Sequence, residues 1–541
     1  MKKSFRRILS LILVLTLTTP CFVYLSKINA GAYPGKIPVI CIYGEDTPLG
    51  IKQEDGHYER VDSNIDVEKV KHAFLDDPNI IIRASLTQDW TEVCDIITEL
   101  IIDAYKDIVL DENGEPTDGS ESIYTSFSVK SLKNRYNNPN ADINTFGFNY
   151  DWRLDPYENM ERLHSFVDAV IEATGSEKVA LYGRCLGACY EVLYYDLYKD
   201  ERISDIILSH SALLGMPPIG EAFSGNLSVN ADSVERIAYE YDLGINYKVN
   251  DNFTVTDDLI RQVLKILVDI YGLDMFCWVT TNAYQHIYDY ITPRVIKKSF
   301  GSFPGYWAMC EDKYYEDAKK VVFAGEEEKY ANFIKKIDKY HYNIMTRAED
   351  ILKEAADNGV KISSIVKYGY QLCPGIEDSN ALSDHILKVG PASLGATCSG
   401  NDKYFTDEYV KSETAKGNGK YISPDLKINA STCMFPDTTW FIKNVEHKYN
   451  PDSVNDLVFA IANDKNATVD TYEEYPQFLY HDEESGKIVP LDPSVHISRS
   501  DEFNRTIANS PIRKIKELFR PLFVFTTILV KIFGVQPRAG H

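Results

Sequence analysis

The sequence predicts an α/β fold, in which a mostly parallel sheet carries helices on both faces. Two patterns indicate this class. Short apolar runs typical of buried strands alternate with longer segments whose apolar residues recur at helical spacing. One such run, residues 179–182, passes through a turn flanked by glycines directly into a helix. Strands that alternate with helices pair in parallel, and the helices then cover both faces of the sheet.

Strands and two clear helices are predicted up to and including the run that leads into the turn. Apolar runs predict strands at residues 37–43, 144–149 and 179–182, and helical spacing predicts a helix over residues 90–104. A second helix begins at Asp155 and Pro156, which suit an N-cap and a first helical position, and it ends at Gly175.

Beyond the turn, strands are predicted at residues 206–209, 359–368 and 438–442, followed by a surface hairpin over residues 478–489. Between them the rhythm changes. Residues 216–358 show helical patterns at 259–270, 280–290 and 330–354 and many aromatic residues. The predicted organisation is therefore a core formed by residues 31–215 and 359–500, with a helical insertion at 216–358.

The turn itself, residues 183–187 (GRCLG), is the nucleophile-elbow pattern G-x-S-x-G with cysteine in the place of serine. Both glycines are expected because such a turn leaves no room for side chains beside the nucleophile. Cys185 would lie at a helix N-terminus, where the dipole favours a thiolate, and the N–H of Leu186 would face an oxyanion. The alternative interpretation is a loop that starts a helix and holds a small buried cysteine.

A second oxyanion donor is expected in the loop after the first strand, where Gly44 is the candidate. Glu45 and Asp46 follow it, and two carboxylates pointing inward would repel an oxyanion. The assignment of Gly44 therefore depends on where these acids point.

With these features the chain resembles the α/β-hydrolase superfamily, and in particular its lecithin:cholesterol acyltransferase-like branch. Residues 150–153 (YDWR), ahead of a helix and the elbow, look like a segment of that branch, and residues 303–305 (FPG) look like part of its lid. The resemblance implies an α/β-hydrolase sheet, a lid formed by residues 216–358, and acyl-ester chemistry through a nucleophile, an acid and a histidine in that order. The departure is Cys185, where the branch has serine.

The resemblance places the acid after the strand that ends near residue 368 and the histidine beyond the last strand. Asp384 is the predicted acid, with Asp378 and Glu377 as alternatives, and His447 is the predicted base. His385 adjoins the acid in sequence and is poorly placed to receive its side chain.

Phe303 and Trp307 lie in the insertion, in a segment that reads as a loop with exposed apolar bulk. They are the predicted substrate contacts.

The composition and the two terminal segments indicate which partners and which cellular location to expect. The net charge of −23 argues against a nucleic-acid partner, and the scattered cysteines show no metal spacing, so no cofactor and no metal are predicted. Residues 1–30, basic and then apolar, predict an export signal or a membrane anchor, and hence a secreted protein or one on the outer face of the membrane. In the tail, 501–541, the basic and apolar residues from 511 onward predict either a helix that contacts a membrane surface or one packed on the acidic body.

The sequence thus predicts an acyl-ester hydrolase or acyltransferase with a Cys-Asp-His triad and a covalent acyl-enzyme, acting on lipid-like esters. The alternative is a catalytically inactive surface protein that keeps the same fold for binding.

Overall fold

The computed structural model describes residues 36–61, 80–137, 145–226, 246–250, 253–256, 289–373 and 376–502, except residues 46, 81, 82, 85, 86, 88, 118 and 499. The predicted export signal, the predicted helix at 259–270, nearly all of that at 280–290 and the tail from residue 503 lie outside the described residues.

Among the described residues, most strands of the main sheet are buried, and the other strands have two to five residues. In chain order they are β1 Val39–Ile42, β2 Leu49–Lys52, β3 Tyr58–Val61, β4 Ser120–Ser122, β5 Thr145–Phe148, β6 Val179–Arg184, β7 Ile203–Ser209, β8 Asn246–Asn250, β9 Phe253–Thr256, β10 Lys361–Tyr368, β11 Tyr370–Gln371, β12 Leu382–Ser383, β13 Thr397–Cys398, β14 Ile428–Asn429, β15 Thr439–Lys443, β16 Phe478–Asp482 and β17 Lys487–Pro490.

The α-helices lie mostly between these strands and in the region of the predicted insertion. They are α1 Thr91–Tyr105, α2 Val129–Tyr136, α3 Met160–Thr174, α4 Gly187–Tyr198, α5 Pro217–Ser224, α6 Pro304–Trp307, α7 Asp312–Val322, α8 Ala331–Asn343, α9 Ala348–Asp357, α10 Val389–Ala392, α11 Asp407–Ala415 and α12 Asp452–Asn463. None of the helices in the described part of the chain is long and apolar enough to cross a membrane.

The main sheet has eight strands in the order β17-β16-β15-β10-β7-β6-β1-β5. Every neighbouring pair runs parallel except β16 and β17 at one edge. The strand that leads into the elbow, β6, lies inside the sheet between β1 and β7. This mostly parallel sheet confirms the predicted α/β class.

Both faces of the sheet are buried, as strand β1 shows. Val39 and Cys41 belong to one apolar core and Ile40 and Ile42 to another. Because successive side chains of a strand point to opposite faces, the two cores lie on opposite sides. Helices α3, α4 and α9 contribute to the first core and α12 to the second. The prediction of helices on both faces is therefore confirmed.

Local details differ from the predicted elements. The side chain of Asp155 accepts the Tyr157 N–H at 3.1 Å, yet the first turn, Pro156–Asn159, is a 3₁₀ helix that leads into α3. Gly175 ends α3 at φ 70°, as predicted. The helix predicted at 330–354 is divided into α8 and α9 by a 3₁₀ turn at Met345–Arg347. The predicted surface hairpin extends the main sheet, since β16 pairs with β15.

The described part of the predicted insertion has an apolar core of its own, built largely by α5, α7 and α8. Aromatic rings dominate it, because Phe223, Phe323 and Phe333 surround the Trp307 ring at centroid distances of 4.9, 5.2 and 6.4 Å. Whether the insertion acts as a lid stays a prediction.

Candidate active site

Cys185 lies at the sharp turn between β6 and α4 and has a φ of 52°. A residue other than glycine rarely adopts this left-handed conformation, and strain of this kind concentrates at functional sites. The flanking glycines are required by space. A Cβ on Gly183 would lie 2.6 Å from the Glu191 carboxyl carbon, and one on Gly187 would lie 2.0 Å from the Ile42 carbonyl oxygen. The structure therefore has the steric crowding that was expected at both glycines.

The backbone of the turn is held by the segment that follows β7. The Cys185 N–H donates to the Ser209 carbonyl at 3.1 Å, and the Ala212 N–H donates to the Cys185 carbonyl at 3.3 Å. The nucleophile candidate is therefore fixed from a neighbouring strand as well as from its own helix.

Asp384 and His447 meet directly, although 63 residues separate them. Asp384 Oδ2 and His447 Nδ1 are 2.8 Å apart. The Asp384 side chain is 1% exposed and that of His447 is 11% exposed. The other carboxyl oxygen of Asp384 accepts the N–H groups of Ile386 and Leu387 at 3.1 and 2.8 Å. Although burial raises it, the contact with His447, the hydrogen bond from the Leu387 N–H and the charge of Lys367 lower the pKa of Asp384 below its usual value.

The alternative candidates lie elsewhere. Asp378 is 65% exposed and lies 3.7 Å from the Lys388 ammonium, and the Glu377 N–H donates to Glu221 Oε2 at 2.6 Å. His385 Nδ1 is 2.9 Å from the Gln371 carbonyl oxygen. Of the predicted acids, Asp384 is the one for which the described residues show a contact with His447.

Lys367, near the end of β10, supports the loop that carries His447. Its side chain is buried, and its ammonium donates to the carbonyl oxygens of His447 at 3.1 Å and Tyr449 at 2.6 Å. The strand that precedes the acid is thus bonded to the loop that holds the histidine.

The two predicted oxyanion positions, Gly44 and Leu186, are neighbours in space. A Cβ on Gly44 would lie 3.3 Å from the Cys185 Cβ and 3.8 Å from the Leu186 nitrogen. Gly44 therefore lies against the elbow, where a side chain would crowd the space beside the sulfur.

Residues 150–153 hold the loop that contains Gly44. The Tyr150 hydroxyl donates to the Tyr43 carbonyl at 2.6 Å, and the Trp152 indole N–H donates to the Thr47 carbonyl at 3.1 Å. Arg153 is fully buried. All five of its N–H groups have acceptors, which are the carboxylate of Asp151, the carbonyl oxygens of Ile108 and Ser120, and the Ser120 hydroxyl.

The predicted substrate contacts, Phe303 and Trp307, are not exposed. Phe303 is 0% and Trp307 1% exposed, and residues Pro304–Trp307 form helix α6 where a loop was predicted. Between them, Tyr306 stacks on Trp152 at a centroid distance of 5.5 Å, and its hydroxyl donates to the Glu45 carboxylate. Tyr306 thereby joins the region of the insertion to the loop beside the elbow.

The electrostatics at Cys185 oppose the sequence-based expectation of a favoured thiolate. Burial, and then the negative charge of Glu45, raise the pKa of the Cys185 thiol well above its ordinary value, while the Leu186 N–H lowers it. A helix N-terminus and two nearby acids are visible in sequence, but the desolvation and the direction in which Glu45 points are not. The resting group is accordingly a neutral thiol.

Sequence reasoning missed the contacts of Lys367 and Tyr306, and also that of His210, the residue that follows β7, whose ring centroid lies 4.9 Å from that of His447. A lysine within an apolar strand was the available signal for Lys367, because a buried ammonium needs partners. Histidine after a buried strand was the signal for His210. Among the described residues, no group of three or more His, Cys, Asp or Glu side chains is placed to hold a metal ion.

No family model matches the chain, and no curated protein matches it either. Among solved structures it is similar to a meta-cleavage product hydrolase from Pseudomonas fluorescens IP01, solved as a mutant complexed with acetates. The identity is 10% and the TM-score 0.17, over 66% of this chain and 83% of that chain. A similarity at that score carries no argument, and the α/β class of this chain follows from its own sheet.

Proposed function

We propose that the protein is an acyl-ester hydrolase or acyltransferase in which Cys185, Asp384 and His447 form a catalytic triad that acts on lipid-like esters. One observation carries the proposal. Cys185 directly follows β6 and His447 lies in the loop after β15, two strands of one sheet, while Asp384 lies in the segment between β10 and β15 and contacts His447. Groups at the carboxyl ends of parallel strands meet at one edge of the sheet, where ligands bind in open α/β sheets.

The reaction follows from the groups present. His447 takes the thiol proton as the sulfur attacks the ester carbonyl, and the oxyanion that forms faces the Leu186 N–H and the backbone of Gly44. His447 then protonates the departing alkoxide, which leaves a thioester on Cys185. Water or an alcohol attacks that thioester and gives its proton to His447. The C–S bond then breaks, the acid or new ester is released, and His447 returns the proton to the departing thiolate, which restores the thiol. Asp384 holds the imidazole in the tautomer that presents a free Nε2.

The raised pKa of Cys185 makes general-base assistance necessary, because a neutral thiol is a poor nucleophile. The same observation favours the second candidate function, a catalytically inactive protein that binds ligands through this fold. Measured ester turnover distinguishes the two.

The test is hydrolysis of a panel of p-nitrophenyl esters with short and long acyl chains. Cys185→Ala and His447→Ala should abolish turnover, while Cys398→Ala, which alters another half-buried cysteine, should keep it. If none of the proteins hydrolyses the panel, the inactive binding protein becomes the better proposal, whereas equal rates for all of them would show that turnover does not depend on the triad.

The setting is part of the proposal. Residues 1–30 support secretion or placement on the outer face of the membrane, and the basic, apolar tail supports membrane contact. N-terminal sequencing of exported protein and flotation with anionic liposomes, with and without residues 511–541, test these two parts. Phe303 and Trp307 are buried, whereas Tyr306, in the same segment, contacts Glu45 in the loop beside the elbow.

A further inference from the structure

His210 is buried beside the candidate triad and has no part in the chemistry described above. It follows Ser209, the last residue of β7, and is 2% exposed. Its φ of 34° is a left-handed value that a residue with a side chain rarely adopts. Strain that persists at a buried position must be imposed by its surroundings, and such positions cluster at functional sites.

The ring of His210 contacts the predicted base. The imidazole planes of His210 and His447 meet at 88°, with ring centroids 4.9 Å apart. This edge-to-face arrangement is the one aromatic rings prefer, because the positive edge of one ring meets the negative face of the other. A ring packed in this way limits rotation of the His447 imidazole about its side-chain bonds.

The backbone around His210 reaches the nucleophile. Ser209 accepts the Cys185 N–H, Ala212 donates to the Cys185 carbonyl, and the His210 N–H donates to the Ile365 carbonyl at 2.8 Å. The strained segment therefore contacts the elbow through its backbone and the base through its ring.

We propose that His210 is a positioning residue, whose ring sets the plane of the His447 imidazole relative to Cys185. This inference depends on the proposed function of the triad. Asp384 fixes the Nδ1 side of His447, and His210 closes one side of the same ring, so that Nε2 is aimed at the elbow. Positioning of this kind needs an aromatic ring at position 210 rather than a titrating group.

The protonation state of His210 agrees with that role. Ser209 Oγ lies 3.0 Å from His210 Nδ1. Burial, with the nearby charges of Lys367, His447 and Arg184, lowers the pKa of His210 well below its usual value. His210 is thus a neutral ring at ordinary pH, which leaves the proton to His447 when the thiol is deprotonated.

The experiment measures alkylation of Cys185 by iodoacetamide, followed by peptide mass spectrometry, together with kcat and KM for p-nitrophenyl butyrate. His210→Ala should slow both the alkylation and kcat by roughly 10- to 100-fold, as expected for a misplaced base, with KM little changed. His210→Phe, which restores a ring without a titratable nitrogen, should recover most of the loss. His341→Ala, at a buried histidine stacked on Tyr315, should leave both rates unchanged.

The outcomes separate the two proposals. If His447→Ala slows alkylation but His210→Ala does not, the positioning role is wrong and the triad stands. If His447→Ala has no effect on either rate, the proposed function fails, and the positioning role fails with it. If His210→Phe is as slow as His210→Ala, the nitrogen rather than the ring is required, and the inference is again overturned. Thermal unfolding of each variant tests whether the fold is kept.

Discussion

Asp384 and His447 are joined twice, through side chains and through backbone. Asp384 Oδ2 lies 2.8 Å from His447 Nδ1, and the His447 N–H donates to the Asp384 carbonyl at 2.9 Å. The second bond fixes the chain around the histidine, and the first fixes its ring. The acid and the base therefore form one unit, held at both the ring and the backbone.

Asp384→Asn should reduce kcat for an activated ester strongly, because an amide can stabilise the wrong imidazole tautomer. The equivalent change in a serine protease costs on the order of 10⁴-fold. Asp378→Asn, which removes an exposed carboxylate from the same loop region, is the control and should keep full activity. Steady-state kinetics of the two variants makes the comparison. Equal activities would show that Asp384 does not orient the base.

Lys367→Met should lower kcat by up to about 10²-fold, because the loop that holds His447 loses its two hydrogen bonds to the ammonium. Lys361 provides a matched control at the start of the same strand, since its ammonium also donates to two carbonyl groups, those of Ile461 and Asp464. Lys361→Met should lower the free energy of unfolding but leave kcat unchanged. A similar loss of kcat in both variants would mean that Lys367 only stabilises the strand.

Glu45→Gln should accelerate the alkylation of Cys185 at a fixed, mildly alkaline pH. Burial and the Glu45 carboxylate raise the pKa of the thiol, so little thiolate is present near neutral pH. Removing the negative charge lowers that pKa, and the rise of the rate with pH should begin at a lower pH. Glu177→Gln alters an exposed acid just before the opposite end of β6 and should leave the profile unchanged. Coincident profiles for Glu45→Gln and the unaltered protein would contradict this electrostatic assignment.

Arg153→Met should lower the free energy of unfolding by about 3–5 kcal/mol, because it leaves the buried Asp151 carboxylate without its cation. The chain contains the same Asp-x-Arg geometry at Asp200 and Arg202, where the arginine side chain is 35% exposed. Arg202→Met should cost less than Arg153→Met, because the partly exposed arginine leaves a site that water can enter, although the Asp200 side chain is itself only 7% exposed. Urea unfolding of both variants measures the difference, and equal losses would show that burial is not what makes Arg153 important.

The elbow could be predicted from sequence because steric crowding allows only glycine at the two positions that flank the nucleophile. Gly183 and Gly187 are small since Glu191 and Ile42 occupy the space that a side chain would need. Asp384 and His447 were within reach because the resemblance implies an acid and a histidine in that order along the chain. These features are local, or depend only on chain order, so pattern reasoning reaches them.

The supporting contacts could not be predicted because they join distant parts of the chain. Lys367 meets its carbonyl partners across about 80 residues of sequence, and Tyr306 meets Glu45 across 261. The environment of Cys185 was misjudged for the same reason, because its burial and the approach of Glu45 depend on the packed structure. Phe303 and Trp307 were expected at a surface, but their apolar bulk fills the interior.

Covalent capture of the acyl group tests the role of Cys185 most directly. The protein is mixed with a p-nitrophenyl ester, quenched in acid within the first turnover, and analysed by intact mass and peptide mapping. A single acyl adduct should form on the peptide that contains Cys185, and Cys185→Ala should show neither the adduct nor turnover while unfolding at a similar temperature. An adduct at another residue, or unchanged turnover by Cys185→Ala, would contradict the assignment of Cys185 as the nucleophile.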